Sequence, residues 1–123
     1  MNKRPINPFD TGYAQAHEVS DATRILFISG QVPAASDGSV PGDFKSQCRL
    51  AWANVHTQLE AAGMTYENLA KITIFLSDRR YRRENYEVRA EILGDRVQPA
   101  MTIIITGIYD ETWLLEIEAI AVD

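Results

Sequence analysis

The last segment of the sequence, residues 113–122, most constrains how this chain can fold. Its residues favour a β-strand, and side chains alternate between the two faces of a strand. One face would carry Leu115, Ile117, Ala119 and Ala121, and the other would carry Leu114, Glu116, Glu118, Ile120 and Val122. Large aliphatic groups therefore lie on both faces, as they do in sheets that are covered on both sides.

Hydrophobic periodicity and turn signals predict the remaining elements. We expect further strands at residues 14–19, 24–29, 71–76 and 102–108, and helices at residues 44–62 and 82–93. Asp43 is the expected N-cap of the first helix, and Gly63 and Gly94 stand where the two helices would end. The order ββαβαββ predicts a single α+β domain over residues 1–123. Its mixed sheet would end in a hairpin and carry both helices on one face.

Two helices on one face leave the opposite face of this sheet uncovered. Burying Leu114 or Ile120 on that face would contribute roughly 1.5–3 kcal/mol for each side chain. We therefore expect the chain to associate with copies of itself through the open face, which also carries Glu116.

Bulk properties limit the compartment and the partners of the chain. A single cysteine, Cys48, cannot form an internal disulfide, which favours a reducing, cytoplasmic compartment. No apolar run is long enough to span a bilayer, so no membrane partner is expected. The net charge of −5 argues against general nucleic-acid binding, because phosphate contacts need a basic surface.

Few residues suggest catalysis by their type and spacing. Glu116 and Glu118 share a strand face about 7 Å apart, and at least one of them would lie at a boundary between copies. A partly buried carboxylate without a cation often marks a functional site. Cys48 falls on the apolar stripe of the first helix, which favours packing over nucleophilic chemistry. His17 and His56 lack metal-ligand spacing, so a metal site is not expected, and the sequence contains no phosphate-binding glycine loop.

A basic run at residues 79–83 follows Asp78 and precedes the second helix. Cations at the start of a helix oppose the helix dipole, so this placement does not favour helix formation. Most such runs are solvated surface, which is the interpretation we favour here. The alternative is capture of an anion, either the carboxylate of a ligand or an RNA phosphate, and Tyr81 offers one aromatic face for a base.

Four stretches, taken in order, carry a resemblance to a known family. They are Gly12-Tyr13-Ala14-Gln15-Ala16, Ser29-Gly30-Gln31-Val32-Pro33, Ala53-Asn54-Val55 with Glu60-Ala61-Ala62-Gly63-Met64, and Glu116-Ile117-Glu118-Ala119-Ile120-Ala121. Their order and spacing resemble the reactive-intermediate deaminase family, also called the Rid or YjgF family. The resemblance extends from about Tyr13 to Val122.

The resemblance implies a chorismate-mutase-like α+β fold and a homotrimer whose sheets form a central barrel, with sites in the clefts between subunits. It also implies hydrolysis of enamine and imine intermediates, such as 2-aminoacrylate and 2-iminobutyrate, to 2-keto acids and ammonia. No metal or organic cofactor takes part in that reaction. Some members of the family have been described as ribonucleases or translation inhibitors.

Individual site residues follow from the same match. Glu116 corresponds to the carboxylate that positions the attacking water, and Tyr13 corresponds to a tyrosine whose hydroxyl reaches the pocket. The substrate-binding positions that the resemblance implies are Ser29, Gly30, Asn85, Ala100, Met101 and Thr102.

Met101 is the departure from the family pattern. After the segment Pro99-Ala100, archetypal members carry an arginine that binds the substrate carboxylate, and a thioether cannot donate the hydrogen bonds that this contact needs. Arg89 on the second helix is an alternative source of positive charge. Three functions stay open. The first is hydrolysis of an imine, enamine or related C–N metabolite other than small 2-imino acids. The second is a non-catalytic trimer that binds a small-molecule ligand or acts as a regulatory module, and the third is RNA cleavage or inhibition of translation.

Overall fold

One mixed sheet of six strands and two helices make up the fold, in a computed structural model that describes residues 1–123. The strands are β1 (Asn2–Pro8), β2 (Ala14–Ser20), β3 (Ile25–Gln31), β4 (Leu69–Leu76), β5 (Ala100–Ile105) and β6 (Leu115–Val122), and the helices are α1 (Phe44–Ala61) and α2 (Arg82–Leu93). Short 3₁₀ turns at Tyr66–Asn68 and Arg79–Tyr81 precede β4 and α2. The sheet order is β1-β2-β5-β4-β6-β3. The predicted α+β class with a mixed sheet is confirmed.

The predicted order ββαβαββ is one strand short, because β1 precedes all the predicted strands. β1 pairs antiparallel with β2 and forms one edge of the sheet. Pro5 and Pro8 lie within it, and proline in a sequence run normally argues against a strand, since it cannot donate a hydrogen bond to a neighbour. An edge strand tolerates proline where the missing donor would face away from the sheet.

The predicted terminal hairpin is wrong. β5 and β6 flank β4 on opposite sides, with β5 parallel to β4 and β6 antiparallel to it. A parallel pair needs a crossover connection, which α2 supplies, and this leaves the other side of β4 free for β6. β5 also begins at Ala100 and ends at Ile105, so it contains Met101, whereas the prediction began the strand one residue after Met101.

Capping and an apolar stripe explain why α1 forms where the sequence predicts it. The Asp43 side chain accepts a hydrogen bond from the Ser46 backbone N–H at 3.0 Å, and Gly63 adopts a φ of +72° just beyond the helix end. Both helices cover one face of the sheet and share a core with it. Among the largest fully buried side chains are Trp52, Leu59, Ile72, Ile74, Leu76, Leu115 and Ile117. Neither helix is long and apolar enough to cross a membrane.

The opposite face of the sheet is open in the single chain, as the alternation in the last strand predicts. Phe27 in β3 is 74% exposed, and Ile25 and Ile104 are 59% and 41% exposed. Phe27 pairs with Ile120 of β6, so their side chains share this face. An exposed run of large apolar groups across several strands is typical of a surface that another protein chain covers.

Gln47 joins α1 to the loop before β6, and replacing it should destabilise the fold. Its side chain is buried, donates to the carbonyls of Pro41 and Thr112 at 2.9 and 3.0 Å, and accepts from the Leu114 N–H at 2.8 Å. We expect Gln47→Leu to lower the free energy of unfolding by about 2–4 kcal/mol, because three backbone groups lose their partner. Urea unfolding measures this loss. Gln58→Leu on the same helix is the control, and an equal loss in both variants would contradict this role for Gln47.

Candidate functional site

The predicted site residues fall into two groups on opposite faces of the sheet. Residues that pair laterally in a sheet point their side chains to the same face. Met101 pairs with the buried Ile72, so it points toward the helices, whereas Glu116 pairs with Phe75 and points toward the open face. The two residues therefore do not meet within one chain.

The open-face group centres on Glu116 and Gly30. A bulge in the pairing of β3 with β6, between Ile28 and Gln31, brings Gly30 against the Glu116 side chain. A Cβ atom at Gly30 would lie 1.8 Å from Oε2 of Glu116, so only glycine allows the carboxylate this position. Glu116 is half-buried and forms no ion pair within the chain. Ser29 precedes Gly30 in β3 and is exposed.

Thr102 and Ala100 belong to β5, but they do not line the cleft that Met101 lines. Thr102 pairs with Thr73 on the open face and accepts a hydrogen bond from Nζ of Lys71 at 2.9 Å. Ala100 begins the strand and pairs with Lys71 on one side and with Ala14 on the other. Of the three consecutive positions implied by the resemblance, only Met101 lines the cleft described next.

The second group lines a cleft of about 1070 Å³ between β5 and α2, on the helix side of the sheet. Its floor is the apolar row Met101, Ile103 and Ile105 of β5. Tyr13, from the segment that leads into β2, and Asn85, from α2, also line it. Asn85 is buried, and its Oδ1 atom lies 4.0 Å from Sγ of Cys48.

Arg89 is buried in this cleft, and only part of its guanidinium has a hydrogen-bond partner. Its side chain is 4% exposed, and its Nη2 atom donates to the Thr11 carbonyl at 3.1 Å. Its Nη1 atom is buried without a hydrogen-bond partner, and no carboxylate pairs with the guanidinium. Burial lowers the pKa of Arg89, yet a guanidinium stays charged at neutral pH. The Tyr86 ring centroid lies 5.5 Å from the guanidinium carbon, but no anion offsets the charge, so this buried cation is suited to an incoming anion.

The basic run lines the same cleft at the opposite end of α2. Arg79, Arg80, Arg82 and Arg83 are exposed on its rim, and none of them pairs with a carboxylate. The run is thus solvent-exposed, as the favoured interpretation predicts, but it also borders a concave surface. The lining carries a single acid, Glu87, which lies 3.6 Å from Nζ of Lys45.

Other reactive side chains lie away from both groups or are buried. Cys48 is fully buried, and this burial raises its thiol pKa to about 12, which confirms a packing role. Nδ1 of His17 lies 3.0 Å from the Gln98 carbonyl, and desolvation lowers the His17 pKa. His56 pairs with Glu60 of the same helix at 3.3 Å. No three histidine, cysteine or acidic side chains converge on a point where a metal could bind.

Comparison with known proteins agrees with this architecture. A family model described as Endoribonuclease L-PSP matches residues 5–123. The RutC family protein YjgH of Escherichia coli is 38% identical over 117 residues, which are 89% of this chain and 85% of YjgH.

Two solved structures share the fold over most of the chain. Escherichia coli TdcF with bound serine has a TM-score of 0.76 at 30% identity, over 90% of this chain and 87% of TdcF. The Rid-family protein YyfB from Yersinia pestis has a TM-score of 0.84 at 25% identity, over 100% of both chains. The chain therefore belongs to the Rid family, also called the YjgF family.

Proposed function

We propose that this protein hydrolyses reactive imine, enamine or related C–N metabolites at sites formed between copies of the chain, without a metal or organic cofactor. The observation that carries this proposal is the Glu116 carboxylate, which lies over Gly30 without a cation partner. A carboxylate held in this way is able to accept a proton from water. The same chemistry is supported by the name of a relative, "Putative reactive intermediate deaminase TdcF" of Escherichia coli.

The separation of the two residue groups supports a site shared by two copies. Glu116 lies on the open face, and Met101 and Tyr13 lie on the helix side, so a single chain cannot bring them to one ligand. The open face of one copy, packed beside the cleft of another, would complete the site. We propose that the assembly is a homotrimer in which this happens three times.

The proposed reaction needs one base and one hydrogen-bond donor. Glu116 takes a proton from water while the water oxygen bonds to the imine carbon, which gives a carbinolamine. The Tyr13 hydroxyl donates a hydrogen bond that holds the polar end of the substrate. Glu116 passes this proton to the nitrogen, the proton of the new hydroxyl group follows it, and the C–N bond breaks, so that a carbonyl product and ammonia leave.

Met101 sets the proposed substrate apart from small 2-imino acids. An arginine at this position would form two charge-assisted bonds with a carboxylate next to the reacting carbon. Met101 presents an apolar surface to the same space. We therefore expect slow turnover of 2-iminobutyrate and faster turnover of imines that carry a larger apolar body.

A panel of imines, generated in place by amino-acid oxidases, tests this function. Semicarbazide traps each imine as it forms, and an active hydrolase lowers the yield of the semicarbazone. We expect the wild-type protein to lower that yield for at least one bulky imine and Glu116→Gln to restore it. If the semicarbazone yield is the same with the wild-type protein and with Glu116→Gln for every imine, the proposed hydrolysis is wrong and binding without catalysis is favoured.

RNA cleavage is the second candidate, favoured by the family description and by the four arginines on the cleft rim. Binding through phosphate contacts weakens steeply as salt rises. Retention of a short single-stranded RNA at low salt, lost when the four arginines are replaced by glutamine, would support this reading. RNA binding that survives those replacements would remove the arginine run as its basis.

Association through the open face predicts the effect of a charge on that face. We expect Phe27→Glu to convert the oligomer to a monomer, because a carboxylate would be buried without a partner in the contact. Sedimentation velocity measures the change. Tyr109, which is 96% exposed outside the strands, supplies the control Tyr109→Glu. A monomeric wild-type protein, or an unchanged size for Phe27→Glu, would contradict this assembly.

A further inference from the structure

The cleft between β5 and α2 has an apolar floor and a cationic group at each end, and we infer that it takes an elongated ligand with an anion at both ends and an apolar middle. This inference names the substrate class of the proposed hydrolysis and, for that reaction, rests on it. Binding of such a ligand does not depend on catalysis, so the two ideas can be tested separately.

The inner end of the cleft is defined by Arg89. Its guanidinium donates to the carbonyl of Thr11, which lies close in sequence to Ala14, the first residue of β2. Ala14 pairs with Ala100 at the start of β5. Arg89 is therefore near the Met101 end of the floor. Its buried Nη1 group has no partner, and an unsatisfied charged donor at this depth costs free energy that a bound anion would recover.

The outer end is defined by the basic run. β4 ends at Leu76, which pairs with Ile105 at the end of β5, and the basic run follows a few residues later. Arg82 and Arg83 begin α2, where the helix dipole disfavours cations. Glu84 lies in the first turn and interacts favourably with the helix dipole, but neither arginine forms an ion pair with it or with Glu87, which pairs with Lys45. An anion would interact favourably with both the arginines and the helix start.

The spacing between the two ends sets the length of the ligand. Arg82 and Arg89 are seven residues apart, which is nearly two turns, so they share one face of α2 at about 10 Å along the axis. The floor from Met101 to Ile105 spans about 13 Å at the rise of a strand. A short anion could not reach both ends, whereas an apolar chain between two anionic groups would cover the three apolar side chains of the floor.

Isothermal titration calorimetry with matched aliphatic acids tests the inference on the wild-type protein. Suberate has two carboxylates on an apolar chain, and octanoate has the same number of carbons and one carboxylate. We expect suberate to bind about 10-fold tighter than octanoate, since it gains a charge-assisted contact at the rim. Succinate, which is too short to reach both ends, should bind no tighter than octanoate.

Substitutions at the two ends of the cleft test which arginines contact each anionic end of the ligand. Arg82→Gln paired with Arg83→Gln should weaken suberate to the level of octanoate and leave octanoate unchanged. Arg89→Gln should weaken both ligands by about 10- to 100-fold, because it removes a contact that both make. Arg89→Lys, which keeps the charge, should recover part of this loss. If the Arg89 variants do not fold, the rim variants and the length series still decide the question.

The control is Arg96→Gln, which removes one positive charge from an exposed arginine paired with Glu67 outside the cleft. Equal affinity for suberate and octanoate, or equal effects of Arg96→Gln and the rim variants, would overturn the inference. The inference would also be overturned, in favour of a nucleic-acid surface, by two results together: single-stranded RNA displaces suberate, and Arg89→Gln binds that RNA as tightly as the wild type does. Suberate binding without turnover of any imine would leave the inference standing and reject the proposed reaction.

Discussion

Replacing Met101 with arginine is expected to raise the hydrolysis of 2-iminobutyrate by about 10- to 100-fold, the effect of one or more charge-assisted hydrogen bonds to the substrate carboxylate. Met101 lies on the cleft floor, half-buried, with its side chain on the same side as Asn85 and Arg89. An arginine there would reach the space in which the proposed site holds the substrate. The semicarbazide assay measures the gain directly.

The new cation would lie near Arg89, and this proximity should also change the Tm of the variant. Two guanidinium groups in one cleft repel each other until an anion lies between them. We therefore expect Met101→Arg to have a lower Tm than the wild type in buffer without small anions, and to regain part of it when pyruvate is added. A Tm that is insensitive to pyruvate would indicate that the arginine has turned away from the cleft.

Ile103→Arg is the matched control for Met101→Arg. It adds the same side chain to the same floor, two residues farther along β5. A gain in 2-iminobutyrate hydrolysis that appears only at position 101 supports a substrate contact at that position. No gain in Met101→Arg, or an equal gain in Ile103→Arg, would show that residue 101 does not select the substrate.

Replacing Gly30 with alanine should lower turnover by about 10²- to 10⁴-fold, the contribution expected of a positioned general base. The added methyl group would lie 1.8 Å from Oε2 of Glu116, so the carboxylate must leave the place where it would activate water. The strand around Gly30 should stay folded, because alanine is compatible with extended backbone. Turnover is measured with the best imine of the panel, or with 2-iminobutyrate in the Met101→Arg background.

Gly42→Ala is the control for this substitution, since a Cβ there meets nothing within 4 Å. We expect Gly42→Ala to keep full turnover, and we expect Gly30→Ala to match Glu116→Gln in activity while differing little from the wild type in Tm. If Gly30→Ala is as active as Gly42→Ala, then the position of Glu116 over Gly30 has no part in the reaction. A large fall in Tm would instead place the effect in folding.

Local signals in the sequence were enough to predict the helices but not the order of the strands. Asp43, Gly63 and Gly94 mark helix ends through backbone hydrogen bonds and left-handed φ values, which depend on a few neighbouring residues. Strand pairing depends on contacts far apart in the chain, so the hairpin predicted for β5 and β6 was wrong. β1 was missed because Pro5 and Pro8 obscure an edge strand.

For the candidate site, too, features set by neighbouring residues could be predicted, and features set by contacts between distant segments could not. The alternation in β6 predicted correctly that Glu116 faces away from the helices, because side-chain direction follows from residue spacing. The resemblance supplied the residue types at the other positions. Neither source showed that Met101 faces the opposite side from Glu116, or that Arg89 and the basic run share its cleft, since these depend on how β4, β5 and α2 come together.

The central claim is that two copies of the chain complete one site, and subunit mixing tests it most directly. Glu116→Gln disables the open-face group, and Tyr13→Ala disables the cleft group. Each variant alone should be inactive, but after unfolding and refolding in equal amounts about a quarter of the sites would combine an intact open face with an intact cleft. We predict recovery of about a quarter of the parent activity. A mixture that mass spectrometry shows to contain hybrid oligomers, yet that stays as inactive as its components, would contradict the account.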